Sequence, residues 1–167
     1  MGIRPPSSGT VALYTPEQRQ RRDSTRWTLV QGILAAFQFI VFLVSLALVL
    51  RTLVSGEGAT LANASVLVKT LVLYTIMITG SLWEKAVFGQ YLFAPAFFWE
   101  DVVSFLVIGL HTAYVIALLA GYLTQYQLMI LALAAYAVYA VNAAQFLWKF
   151  RLARQHAPNL VADGVQA

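Results

Sequence analysis

The sequence predicts an all-α polytopic membrane protein, four transmembrane helices with both termini cytoplasmic. Three observations lead there. The chain is 60% hydrophobic and only 11% charged, whereas a soluble domain runs near about 45–50% apolar and about 25% charged residues. Four stretches reach the roughly 20 apolar residues that a bilayer-spanning helix needs: Trp27 to Leu53, Ala62 to Trp83, Trp99 to Ala120, and Tyr126 to Trp148. Basic residues gather at both ends, with Arg4, Arg19, Arg21, Arg22 and Arg26 before the first stretch and Lys149, Arg151 and Arg154 after the last. By the positive-inside rule an even number of spans then keeps both ends in the cytoplasm. The formal charge of +4 is thus an orientation signal and not a nucleic-acid footprint.

The elements follow in order. Residues 1–26 read as a cytoplasmic N-terminal segment. Within it "YTPEQRQRRDST" offers Thr15 as N-cap, Pro16 at the first helical position and Gln18 at the capping-box position. That predicts a short basic surface helix held near anionic headgroups by its arginines. Residues 27–150 form the four-helix transmembrane domain. "SGEG" from Ser55 to Gly58 turns the chain after the first span, and the Gly89–Pro95 stretch separates the second from the third. "AGYLTQYQ" from Ala120 to Gln127 makes a short hairpin before the fourth. Residues 151–167 read as a disordered cytoplasmic tail in which His156 is solvated. The first apolar run is too long for a signal-peptide core of about 7–15 residues. The chain has no cysteine, so disulfides, iron–sulfur clusters and thiolate zinc sites are excluded. Arg51 and Lys69 fall near the outer ends of their helices, where long side chains are expected to snorkel toward headgroups.

Polar residues inside the spans narrow the search for function. Gln31, Gln38 and Ser45 recur every seven residues in the first span, and Tyr139, Asn142, Gln145 and Lys149 share a face of the fourth. Such stripes hydrogen-bond across helices for about 0.6–2 kcal/mol per contact, and packing is the simpler role, with more room for ligand contact at the deeper Asn142. In the third span Glu100, Ser104, Val107 and His111 follow steps of four, three and four, so they lie on one face. His111 sits ~16 Å below Glu100 at 1.5 Å per residue, near the middle of the hydrocarbon. An ionisable group there is costly and marks function by default; the structural alternative is a neutral imidazole bonded to a neighbouring helix.

Glu84 shares the cytoplasmic depth of Glu100 and Asp101. Three carboxylates at one depth would drive one another's pKa values apart, leaving one acid and one base. The competing explanation is interfacial charge, with Glu84 or Asp101 paired to Lys85. Trp83, Phe88, Tyr91, Phe93, Phe97, Phe98 and Trp99 surround this cluster more densely than a headgroup belt requires, and their faces suit a planar apolar ring system. A lone intramembrane histidine cannot ligate haem through two histidines, and the chain has no Glu-x-x-His pair, phosphate loop or dinucleotide fingerprint. No cofactor or metal centre is expected, and chemistry here uses protons and water.

"LYTPEQRQRRDSTRWTLVQGILA", the text from Ile40 to Leu46, and above all "WEKAVFGQYLFAPAFFWEDVVSFLVIGLHTAY" resemble the vinyl hydratases of bacteriochlorophyll biosynthesis, small membrane proteins of photosynthetic bacteria. The resemblance covers about Leu13 to Leu147. It implies a hydro-lyase that adds water across the 3-vinyl group of chlorophyllide or bacteriochlorophyllide to give a 3-(1-hydroxyethyl) group, in the bacterial inner (cytoplasmic or intracytoplasmic) membrane. The residues assigned to proton transfer are Glu84, Glu100 and Asp101, with Glu100 first because it shares a face with His111. His111 would bind the substrate magnesium axially or orient the ring. Lys85, Trp83, Tyr91, Phe97, Phe98, Trp99, Ser104 and Asn142 are the expected substrate contacts. In a reverse pose Lys85 holds a substrate carboxylate and the vinyl group points toward His111. The partners are the tetrapyrrole and membrane lipid; a homo-oligomer and contact with other pigment-biosynthesis enzymes stand as options. The alternative function is a non-catalytic pigment carrier or assembly subunit, and a transporter is weaker because no span is broken and no inverted repeat stands out.

Overall fold

The computed structural model describes residues 13–155; Arg4, His156 and the rest of 156–167 lie outside the described residues, whereas residues 151–155, expected to begin a disordered tail, continue the last helix. Five helices follow in order: α1 (Pro16–Ser24), α2 (Arg26–Ser55), α3 (Ala59–Phe88), α4 (Phe98–Ala120) and α5 (Gln125–Gln155). Helices α2 to α5 are each long and apolar enough to cross a membrane, which agrees with the four expected spans.

Local sequence sets the boundaries. The Thr15 hydroxyl accepts from the Gln18 backbone N–H while the Gln18 side chain accepts from the Thr15 N–H, so α1 starts on a closed capping box with Pro16 in its first turn. Extended backbone at Thr25 (ψ 137°) separates α1 from α2, and its hydroxyl caps Trp27. Gly56 and Gly58 adopt φ of +73° and +80°, a left-handed conformation open to glycine without penalty, and together they reverse the chain between α2 and α3. At 30 residues each, α2 and α3 are ~45 Å long, more than the ~30 Å hydrocarbon core, so they tilt or project beyond it.

The bundle is built from two hairpins, α2–α3 and α4–α5, joined by the 89–97 connection. α2 and α3 pack extensively, as do α4 and α5, and a less extensive seam runs between the hairpins. Val49, Ala62, Val66, Val107, Met129 and Ala132 are fully buried in the core. Lipid offers no hydrophobic drive for helix association, so polar contacts between helices carry part of the specificity. Gln31 Nε2 donates to Thr79 Oγ1 at 2.7 Å. Ser45 Oγ lies 2.7 Å from Ser65 Oγ and 2.5 Å from the Tyr136 hydroxyl. Asn142 Nδ2 donates to Ser104 Oγ at 2.8 Å, and the Tyr114 hydroxyl donates to Asn63 Oδ1 at 2.7 Å.

One expectation is overturned. Lys69 does not snorkel: it is 0% exposed. It follows Ala62 by seven residues and Val66 by three, on the face that α3 buries. Ten residues into α3, about 15 Å from its start, the ammonium is on the wrong face and too deep to reach headgroups.

The Ser45–Tyr136 contact ties the two hairpins together and is measurable. Ser45→Ala, Tyr136→Phe and the double variant, unfolded thermally in detergent, are expected to show a coupling of about 0.6–1.7 kcal/mol. Strict additivity would show that the bond adds nothing.

Candidate active site

The last turn of α3 and the first turn of α4 bring three acidic side chains together. Glu84, Glu100 and Asp101 are only 5%, 5% and 3% exposed. The carboxyl groups of Glu84 and Asp101 are close neighbours in this cluster. The 89–97 connection closes over them: the Phe93 N–H donates to Asp101 Oδ2 at 2.6 Å and the Ala94 N–H to Glu84 Oε2 at 3.2 Å. Phe93 has φ +59°, a left-handed conformation unusual for an aromatic residue that costs on the order of 1–3 kcal/mol. Through it two successive backbone amides face two carboxyl groups, the arrangement of an anion nest. The start of α4 adds its positive dipole end beneath Glu100 and Asp101.

Glu100 has a separate partner. Lys149, from α5, meets Glu100 Oε2 at 2.6 Å, donates to the Ala96 carbonyl, and lies 5.1 Å from the Phe97 ring centre. Among the described residues Lys85 forms no ion pair, contrary to the pairing weighed from sequence. It donates to the Gly89 carbonyl at 2.8 Å and lies 5.1 Å from the Tyr91 ring centre. Consecutive helix residues do not face one another, so with Glu84 turned inward Lys85 turns out. Lys149 was assigned from sequence to a packing stripe; its position seven residues after Asn142 was the signal that it reaches this layer.

The expected aromatic wall divides into two groups. Trp83, Phe88 and Phe97 meet edge to face at 5.5–5.8 Å and are backed by Tyr14 and Phe146. Trp83 Nε1 donates to Thr28 Oγ1 at 3.0 Å, pinning this plug to the start of α2. Burial pushes the Tyr14 phenol up to about 12, with the Arg22 guanidinium opposing the shift. Tyr91, Phe98 and Trp99 instead face outward, and Phe93 stacks on Phe105 at 5.5 Å.

Deeper in the bundle, Ser104 and Asn142 form their bond below Glu100. His111 is fully buried; its Nδ1 bonds the Val107 carbonyl of its own helix at 2.8 Å, and Nε2 has no hydrogen-bond partner. Lys69 shares this level. Its Nζ lies 3.7 Å from the Tyr139 ring centre, 5.4 Å from that of Tyr136 and 5.8 Å from that of Phe42. Cation–π contacts contribute about 0.5–2 kcal/mol, whereas burying an ammonium costs on the order of several kcal/mol. The cage alone leaves Lys69 undercompensated. Gln38, Asn142 Oδ1 and Gln145 Oε1 are also buried without partners. The face shared by Glu100, Ser104 and His111 is therefore buried as its spacing predicts, while Lys69 and the Phe93 and Ala94 amides were missed. The Ala62–Val66–Lys69–Leu73 spacing could have revealed Lys69; no side-chain pattern announces the amides. An open concavity along α1 and α2, lined by Asp23, Thr28, Gly32 and Ala36 among others, contains none of these residues.

The 2-vinyl bacteriochlorophyllide hydratase family matches residues 14–152 of the chain. A protein of Cereibacter sphaeroides named 2-vinyl bacteriochlorophyllide hydratase is 65% identical over 149 residues, covering 89% of this chain and 92% of the relative. One of Rhodobacter capsulatus with the same name is 63% identical over 153 residues, covering 92% and 89%. No solved structure matches the chain.

The Lys149–Glu100 pair makes a stability prediction. Lys149→Met leaves a buried carboxylate unpaired and should destabilise toward the low end of the roughly 3–5 kcal/mol seen when buried pairs are broken, because Lys149 is partly exposed. Lys149→Met with Glu100→Gln should recover most of the loss in thermal unfolding. Equal destabilisation in both variants would contradict the pairing.

Proposed function

The chain belongs to the 2-vinyl bacteriochlorophyllide hydratase family, and from that premise we propose how it hydrates the vinyl group. The reaction adds water across the vinyl substituent of (bacterio)chlorophyllide a, numbered 2 or 3 in the two conventions for the macrocycle, and gives the 1-hydroxyethyl product. The observation that supports the mechanism is the Glu84–Asp101 carboxyl pair, held by two backbone amides at the end of the inter-hairpin seam.

Two neighbouring buried carboxyl groups retain one proton between them, because like charges side by side oppose double ionisation. That proton passes to the terminal vinyl carbon, which becomes a methyl group. The inner carbon is left as a cation delocalised into the macrocycle. Water attacks the inner carbon through oxygen and gives its extra proton back to the carboxylate pair, which returns to its starting state. No electrons leave the substrate. Each positioned proton-transfer group contributes about 10²–10⁴-fold, and the negative charge of the pair also stabilises the cation. Glu100, engaged by Lys149, serves as a fixed anion beside the reacting carbon. This revises the order expected from sequence: Glu84 and Asp101 precede Glu100 as proton carriers.

In this arrangement the macrocycle stands in the seam with its vinyl edge at the carboxyl layer. Ser104 and Asn142 line its path, and His111 meets its far edge, orienting the ring instead of binding magnesium. Trp83 and Phe97 back the carboxyl layer, while Lys85, Tyr91, Phe98 and Trp99 border the entrance from the interface. Arg19, Arg21, Arg22 and Arg26 at one end and Arg151 at the other support a cytoplasmic position for both termini by the positive-inside rule; in that orientation water reaches the carboxyls from the cytoplasmic side of the bacterial inner or intracytoplasmic membrane.

Membranes holding the protein, incubated with 3-vinyl bacteriochlorophyllide a and separately with chlorophyllide a in ordinary and oxygen-18 water, test the reading by mass spectrometry. The expected product gains one water, with the heavy oxygen on the new alcohol. Glu84→Gln and Asp101→Asn should each lower kcat by about 10²–10⁴-fold while still binding pigment, with Glu100→Gln less affected. Wild-type rates in both Glu84→Gln and Asp101→Asn would overturn the assignment.

A further inference from the structure

The proton-transfer mechanism uses one end of the seam and leaves a cation unexplained at the other. Lys69 is fully buried, its ammonium has no hydrogen-bond partner, and the ion pairs among the described residues are Arg22–Asp23 and Lys149–Glu100. It is not isolated by accident of one helix. Phe42 and Lys69 come from the α2–α3 hairpin, and Tyr136, Tyr139 and His111 come from the α4–α5 hairpin. The Tyr136 ring centre lies 5.4 Å from Lys69 Nζ and 5.8 Å from that of His111. His111 Nε2 is unpartnered as well. The seam therefore ends in an amine and an imidazole nitrogen that lack partners, walled by aromatic faces.

We propose that Lys69, with His111 beside it, is the docking point for the free carboxylate of the tetrapyrrole substrate. The proposal rests on the reading of that substrate as a (bacterio)chlorophyllide, whose propionic side chain is a free acid. An anion supplies what the aromatic cage does not, a full opposite charge and hydrogen-bond acceptors for the ammonium. Spacing agrees with the mechanism. Asp101 and His111 are ten residues apart on α4, ~15 Å along the axis, which is too far for two groups acting on one bond. A flat macrocycle with substituents at both edges bridges it, placing the acid at Lys69 when the vinyl group is at Glu84 and Asp101. Lys85, the alternative cation, is exposed and already donates to the Gly89 carbonyl.

The test compares 3-vinyl bacteriochlorophyllide a with its propionate methyl ester, using the full-length protein in lipid nanodiscs. Affinity is read by absorbance titration of the pigment, and turnover by mass spectrometry. The wild type is expected to bind the acid on the order of ten- to hundredfold tighter than the ester, the range of a charge-assisted hydrogen bond. Lys69→Met, which exchanges a buried cation for an apolar chain of similar length, should bind the acid no better than the ester. Its KM should rise while kcat at saturating pigment stays close to wild type, since ground-state and transition-state binding are lost together. Lys69→Arg should keep a preference for the acid. Equal wild-type affinity for acid and ester overturns the proposal without any variant, and so does undiminished discrimination in Lys69→Met, which would move the carboxylate to Lys85. If no pigment gains water in any arm, the hydratase reading fails, while the acid–ester titration still decides the role of Lys69.

Discussion

Hydrocarbon supplies no hydrogen-bond partners, so every polar group that this bundle buries must find its partner inside the bundle or in a ligand. The layer of Glu84 and Asp101 shows how the chain meets that constraint. It joins the end of one hairpin to the start of the other, and the 89–97 connection is shaped around it. Phe93 takes a left-handed conformation and thereby presents its own amide and that of Ala94 to the carboxyls. Local backbone cost is accepted because it satisfies acceptors that neither lipid nor a helix ladder could serve. The Lys149–Glu100 pair then closes the layer from α5.

Below that layer the same rule is met unevenly. Gln31, Ser45, Asn142 and Tyr114 have partners across helices. Gln38, Lys69 and His111 retain unpartnered atoms although fully or almost fully buried. Native bundles leave few such atoms, and these come from three helices whose polar faces meet between the hairpins. Satisfied contacts hold the hairpins in register, and the unsatisfied ones are where the proposed substrate would supply the missing partners.

Much of this was legible in the sequence, for definable reasons. Long apolar runs and glycine-containing breaks are local signals, so the four helices and the left-handed turns at Gly56 and Gly58 could be read directly. The step from Glu100 to Ser104 to Val107 to His111 is periodic, and periodicity reports a shared face. Partner choice across helices is not local. Glu100 pairs with Lys149, 49 positions away, while Lys85, weighed as a partner for Glu84 or Asp101, forms no ion pair among the described residues, because only the folded bundle decides which cation shares a carboxylate's depth and face. Lys69 was misread because nearness to a helix end was weighed above its place in the Ala62–Val66–Leu73 row. The aromatic residues were read as one wall, whereas helix rotation turns Trp83 and Phe97 inward and Trp99 outward.

In the proposed mechanism Glu84 and Asp101 hold one proton between them and deliver it to the substrate. Infrared spectroscopy of the protein in nanodiscs at neutral pH, in ordinary and heavy water, observes that proton directly. An isotope-sensitive protonated-carboxyl band is expected in the wild type and in Glu100→Gln, lost in both Glu84→Gln and Asp101→Asn. No such band in the wild type, or a band lost only in Glu100→Gln, would contradict it.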